Sequence, residues 1–287
     1  MNTIKTGFYM MIMSGLLMVA GFVLSGSYWG IIIALLIALP MNFFAYWGSD
    51  KMALKMTHAR EISQEEDPAL YAIVEEQARR ALLPMPRVYV IDSNSPNAFA
   101  TGRNPRHSAV AVTTSIKRLL NREELGGVVA HELAHIGNRD TLIMTMVATI
   151  AMAIGMIAMM AQFAMLFGGL HGRGNRGGNP LVGIIAMLVV AIILPLITTV
   201  VRMAISRARE FQADSRGAST SGNPEALANA LEKLDVAVQQ RPMKVNSGVA
   251  HLFIVNPFRS NGMSRLLSTH PPMSDRVSRL RSMRSAW

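Results

Sequence analysis

Three stretches of the sequence carry no Asp, Glu, Lys or Arg: residues 7–49, 141–172 and 177–201. Such blocks leave a chain few options, because in lipid every backbone polar group must be satisfied within the protein. A helix needs about 20 apolar residues to cross a bilayer. The first block is long enough for two, so four transmembrane helices are expected, at 7–25, 28–47, 142–168 and 181–201. Lys5 ahead of an apolar core imitates a signal peptide, but no clean small-residue cleavage site follows and a second apolar run begins at once. An uncleaved helical hairpin fits better.

Charge sets the expected orientation. The net charge is +10, and of 28 Lys and Arg, 12 fall in 48–141 and 13 in 202–287. Nucleic-acid binding is one reading of such an excess; the positive-inside rule explains it better. It places the N-terminus and both charged segments in the cytoplasm and the two turns outside. Arg173 and Arg176 lie on the wrong side of this scheme, two charges against 25. With no cysteine, disulfides and thiolate metal sites are excluded. The 22 methionines are read as gap-fillers of apolar helices.

The expected organisation is a transmembrane hairpin (1–47), a first soluble part (48–140), a second hairpin (141–201) and a second soluble part (202–287). Leu70, Ile73, Val74, Ala78 and Leu82 follow helical spacing. PRVYVID (86–92) and SAVAVTTS (108–115) read as strands, joined by a loop around a short strand. Asn121, Glu123 and Glu124 announce a helix start, and Asn223-Pro224-Glu225 another that runs to about Gln240. Residues 241–272 are irregular, and Ser274 is expected to cap a final basic helix.

The chemistry is concentrated in VVAHELAHIGNRD (128–140). His131 and His135 share a helix face at i, i+4 and can offer two imidazoles to one metal ion. Glu132, offset around the helix, can reach a water on that metal without ligating it. This is the H-E-x-x-H arrangement of zinc hydrolases, in which zinc brings the pKa of bound water down to about 7 and the glutamate acts as general base. The pattern alone also fits a solvated helix face. However, the small apolar residues 126–130 suit a buried helix, where two His and a Glu without a metal are costly. A catalytic zinc needs a third protein ligand, here His, Asp or Glu. If the third span continues from the metal helix and the fourth runs into SRAREFQAD (206–214), the hairpin delivers Glu210 to the surface that holds the histidines. No comparable argument places His58, His107 or His251 there.

HELAHIGNRD and SRAREFQAD, set between paired apolar spans together with SNSPNAFATG and STHPP, closely resemble the HtpX family of bacterial inner-membrane zinc metalloproteases. The likeness runs through nearly the whole chain. It implies a mainly α-helical integral membrane protein with a cytoplasmic, gluzincin-like α+β catalytic domain and a small sheet. It implies one Zn2+ per chain on His131, His135 and Glu210. The implied activity is an endopeptidase of the inner membrane that cleaves damaged or misfolded membrane proteins on the cytoplasmic side. A stress-response role and membrane quality-control partners go with it, and nucleic acid does not.

Supporting residues are assigned with their alternatives. Asp214, four after Glu210, is a candidate to accept the second N–H of a ligating histidine, or else pairs with Arg207 or Arg209. Arg207 is a candidate to order the site or contact substrate. Asn138 and Asp140 cap the metal helix or join it to its neighbours. His270, held by two prolines, either hydrogen-bonds the developing oxyanion, as the resemblance implies, or packs against the C-terminal segment. The resemblance favours Asn97, Ala98 and Phe99 for edge-strand pairing with an extended substrate; the alternative is an ordinary turn. Two other functions fit the sequence less well. A transporter usually carries ionisable groups in its spans, and these have none. A scaffold with structural zinc would need four protein ligands and leave Glu132 without a task.

Overall fold

The computed structural model describes residues 2–25, 27–146, 207–245, 249–258 and 271–283. The expected span at 181–201, most of that at 142–168, the turn with Arg173 and Arg176, and His270 lie outside these residues. The chain divides into two compact units. One holds Thr3–Trp47; the other, which carries all the chemistry below, holds Gly48–Thr145 and Ile205–Trp287.

The described residues of the first unit lie on two helices, α1 (Asn2–Ser25) and α2 (Tyr28–Met56). Among the described residues, α2 alone is long and apolar enough to cross a membrane, and α1 contributes a shorter apolar stretch, Thr6–Phe22. Asn42 Nδ2 donates to Ser14 Oγ at 2.8 Å. An interhelical hydrogen bond of this kind holds apolar helices together in lipid, where burial gives no driving force. The second helix continues nine residues past the expected end at Trp47, so its last turns belong to the second unit.

A four-stranded mixed sheet lies at the centre of the second unit, in the order β1-β2-β4-β3. The strands are β1 (Arg60–Glu61), β2 (Arg87–Ile91), β3 (Ala98–Asn104) and β4 (His107–Thr113). β2 and β4 are parallel, and the other two pairings are antiparallel. The helices are α3 (Pro68–Arg80), the short α4 (Ile116–Leu119), α5 (Arg122–Asn138), α6 (Arg207–Ser221), α7 (Pro224–Gln240) and α8 (Met273–Met283), with a 3-10 turn at Ala250–Leu252. Val88, Ala98, Ala100, Val110 and Val112 of the sheet form one core with Ile73 and Val74 of α3, Val128, Val129 and Leu133 of α5, and Leu227 and Leu231 of α7. Mainly helical with a small sheet, the architecture agrees with the sequence reading.

Several details differ from it. β3 is a full seven-residue strand rather than a short one within a loop. β1 was not anticipated, because two exposed residues have no periodicity to betray them. Ser274 lies inside the first turn of α8 instead of capping it; Pro272 C=O receives the N–H of Asp275. The metal-motif helix does not run straight into a third span. Arg139 is left-handed (φ 58°), and helix resumes over 140–146.

At the β3–β4 hairpin, Gly102 has φ 142°, and a Cβ there would stand 2.4 Å from His107 O. Gly102→Ala should therefore cost about 1–3 kcal/mol. The expected result is a lower melting temperature of the purified protein, with Ala100→Gly as a strand control of smaller effect.

Candidate metal centre

The site is assembled by two crossing helices. α5 is started by a reciprocal cap: Asn121 Oδ1 accepts from Glu124 N (2.9 Å) and Glu124 Oε2 accepts from Asn121 N (3.0 Å). Its buried face presents His131, Glu132 and His135. α6 crosses it with Glu210, Asp214 and Gly217, which share a face at i, i+4 and i+7. A Cβ on Gly217 would lie 2.8 Å from both Cα and N of His131, so the absence of a side chain there permits the approach.

That approach brings one donor atom each from His131, His135 and Glu210 within 4.8 Å of one another, all buried. His131 Nε2 stands 4.0 Å and His135 Nε2 3.5 Å from the Glu210 carboxylate. Donors bound tetrahedrally at about 2.1 Å from zinc are about 3.4 Å apart, so the group needs only a small contraction. Two further observations fit a divalent cation. His131 Nε2 is buried and, among the described residues, has no hydrogen-bond partner. And among the described residues the carboxyls of Glu132, Glu210, Asp214 and Asp140 face two guanidiniums, Arg276 and Arg209, an excess of two negative charges when all four ionise.

The surroundings hold each donor. His131 Nδ1 lies 2.9 Å from Asp214 Oδ1, close but poorly aligned for a hydrogen bond. His135 Nδ1 lies 3.4 Å from Asp140 Oδ2. Asp214 is clamped by Arg276, whose Nε and Nη2 donate to its two oxygens at 2.8 and 2.6 Å. Arg276 is fully buried; its Nη1 donates to Ile254 O at 3.0 Å and stands 3.8 Å from Glu210.

Burial and charge pull the acidities apart. Burial pushes Glu132 up to about 7, with Glu210 adding and His135 opposing. Burial disfavours protonation of His135, but Asp140, Glu210 and Glu132 outweigh it and raise its pKa to about 9. A proton there serves the same charge imbalance that a metal ion would. Burial lowers His131 despite Asp214. Asp214 is desolvated too, yet the Arg276 guanidinium holds it down to about 2.

The expected residues fall as follows. His131, Glu132, His135, Glu210 and Asp214 come together. Asp214 pairs with Arg276, not with Arg207 or Arg209. Arg207 is exposed at the start of α6, and none of the close contacts of the cluster is to it. Asn138 Oδ1 accepts from Arg216 Nη1, which latches α5 to α6 rather than touching a ligand. Asn97, Ala98 and Phe99 are fully buried. Asn97 Nδ2 donates to Val255 O (2.8 Å), and Ile254 N donates to Ala98 O (3.0 Å), so the chain itself holds that end of the β3 edge. Two residues escaped the sequence reading in this role. Arg276 looked like one cation of a basic helix; the cue was its place on the buried face with Val277 and Leu280. Asp140 was given only a capping or joining task.

A buried pair of imidazoles and a glutamate, with a second glutamate of raised pKa beside them, is the site of a metal-dependent hydrolase. Residues 64–284 match peptidase family M48. The chain belongs to that family and, within it, to the HtpX proteases; it is a membrane-associated metalloprotease. It is 52% identical to an HtpX homolog of Aquifex aeolicus over 267 residues, covering 93% of this chain and 88% of the relative. It is 51% identical over 283 residues to one of Thermodesulfovibrio yellowstonii, covering 99% of both. The homolog of Desulforapulum autotrophicum is 49% identical over 280 residues, 98% of this chain and 89% of its own. The fold is similar to the crystal structure of S. mikatae Ste24p, with a TM-score of 0.52 at 17% identity over 96% of this chain and 67% of that one.

Gly217→Ala should force α6 off α5 and lower metal content measured by atomic emission, while Ala218→Gly on the same turn should not. Arg276→Met leaves Asp214 buried without its cation, an expected loss of about 3–5 kcal/mol. Melting should fall markedly and recover in part in Asp214→Asn/Arg276→Met.

Proposed function

We propose that the chain is a zinc-dependent endopeptidase of the bacterial inner membrane. Four helices span the bilayer, and the N-terminus, catalytic unit and C-terminus face the cytoplasm. It cleaves damaged or misfolded membrane proteins there, as part of a stress response and alongside membrane quality-control partners. The convergence of His131, His135 and Glu210 supports the catalytic part of this reading. The positive charge of both soluble segments supports the orientation.

One Zn2+ per chain is held by His131, His135 and Glu210. Bound there, it would supply Lewis acidity and acidify water at neutral pH. The remaining work falls to the chain. Glu132 acts as general base and then returns its proton to the leaving amine; burial of its carboxyl favours holding that proton between the two steps. Asp214, fixed by Arg276, orients the His131 ring, and Asp140 orients that of His135. His270 hydrogen-bonds the oxyanion. Arg207, exposed beside Glu210, contacts substrate, and Asn138 keeps α5 registered on α6.

The substrate lies extended along β3, whose outer edge passes the base. Support comes from Ala100, whose N–H hydrogen-bonds Glu132. Asn97, Ala98 and Phe99 take part by holding this strand against residues 254–255, with Phe99 packed on Phe253 at 5.1 Å between ring centroids. Main-chain pairing demands little of the substrate sequence, which suits an enzyme that must accept many damaged proteins.

Glu132→Gln tests the reading. The purified variant should keep its zinc and lose casein cleavage by at least 100-fold, the usual contribution of a positioned general base. Full activity in the variant would refute the assignment. Zinc lost together with activity would make Glu132 a structural residue instead.

A further inference from the structure

The β3–β4 hairpin has a basic tip, Arg103-Asn104-Pro105-Arg106-His107, that takes no part in the metal centre. Arg106 and His107 are exposed, and Arg103 is half-buried. The tip is braced rather than loose. Asn104 Oδ1 accepts from His107 N at 3.0 Å, Ser108 Oγ donates to Pro105 O at 2.9 Å, and a bulge between Gly102 and Asn104 re-aims the turn.

The strand register fixes where this tip points. Arg87, Ala109 and Thr101 form one row across β2, β4 and β3, and the tip projects beyond that row. At the row, the Arg87 guanidinium stands 3.5 Å from Asp50 of α2. From Asp50, α2 runs on to Met56, and the chain then enters β1, where Arg60 lies opposite Val90, three residues further along β2. Asp50, the first charged residue after the apolar part of α2, thus meets the sheet at the row next to the tip. A second tether meets the same row: Thr141 Oγ1 donates to Gly102 O at 2.9 Å, and Thr145 meets Thr101 at 3.3 Å between hydroxyls. These residues open the helical stretch that leads into the second apolar block.

Given the membrane-spanning reading above, on which this inference rests, we propose that the hairpin tip is a headgroup-binding finger. Arg103 and Arg106 engage the phosphates of anionic lipid in the leaflet facing the catalytic unit. They would hold the β3 edge at a set height over the surface from which substrate segments emerge. Lys51 and Lys55, exposed at i, i+4 on α2 just past Trp47, add like charge to the same unit. Basic residues at such a surface gain roughly 1 kcal/mol each, and the attraction fades within a Debye length of about 8 Å at physiological salt.

The chain has no cysteine, so Pro105→Cys in the full-length protein takes a single environment-sensitive fluorophore at the tip. It is reconstituted in nanodiscs of phosphatidylcholine alone or with one third phosphatidylglycerol. The expected result is blue-shifted emission, quenched by headgroup nitroxides, only with phosphatidylglycerol. Each arginine replaced should lower the docked-to-undocked ratio about fivefold, so Arg103→Gln/Arg106→Gln in the labelled protein should read as undocked, as should 0.5 M salt. Identical emission in both lipids, or docking that survives the double substitution, would overturn the proposal. Cleavage of a soluble peptide should be the same for Arg103→Gln/Arg106→Gln and the unsubstituted protein. Its loss in the double variant alone would place the tip in the catalytic machinery and likewise overturn the finger. Its absence in both would sink the peptidase reading while the lipid result still stands.

Discussion

The close crossing of α6 over α5 is the contact on which the rest depends. It is made where Gly217 meets the backbone of His131. Without it Glu210 and Asp214 would stand a side chain further out, and the two histidines would be a pair of buried imidazoles with nothing to complete them. The crossing is costly in another currency, since it carries ionisable groups out of water. Arg276 offsets part of this by clamping Asp214 and reaching towards Glu210. What stays unbalanced is negative, and a divalent cation answers it. Fold stability and metal binding are thus two sides of one electrostatic arrangement.

The same burial prepares the chemistry. Glu132 sits in surroundings poor enough in water to raise it to about 7, while Asp214, one helix away, is held at about 2. Two buried carboxyls on crossing helices are thus held at different acidities by their neighbours. The N–H of Ala100 on Glu132 ties that base to the strand along which a substrate would lie.

Much of this was legible in the sequence where a local rule applied. The i, i+4 histidines, the cap at Asn121 and the Pro at the start of α7 act within one turn, and each appears where its spacing placed it. Glu210 is reachable in the sequence only through an expected topology, in which a hairpin between two motifs would bring their ends together. Arg276 was not reachable, because its partner Asp214 lies 62 positions away and an arginine in a basic helix reads as a solvated one. Asp140 reads as the end of a motif until the left-handed turn at Arg139 swings it back towards His135. The Asn97–Ala98 end of β3 reads as open to a substrate, because nothing local in residues 250–255 shows that Ile254 and Val255 meet it.

The central claim is that two imidazoles and one carboxylate, brought together by that crossing, share one zinc ion. X-ray absorption at the zinc edge of the purified, zinc-loaded protein tests it most directly. The expected first shell holds only nitrogen and oxygen at about 2.0–2.1 Å, with multiple scattering from two imidazoles and one fewer oxygen in Glu210→Ala. A shell with a different number of imidazoles, or one unchanged by Glu210→Ala, would contradict it.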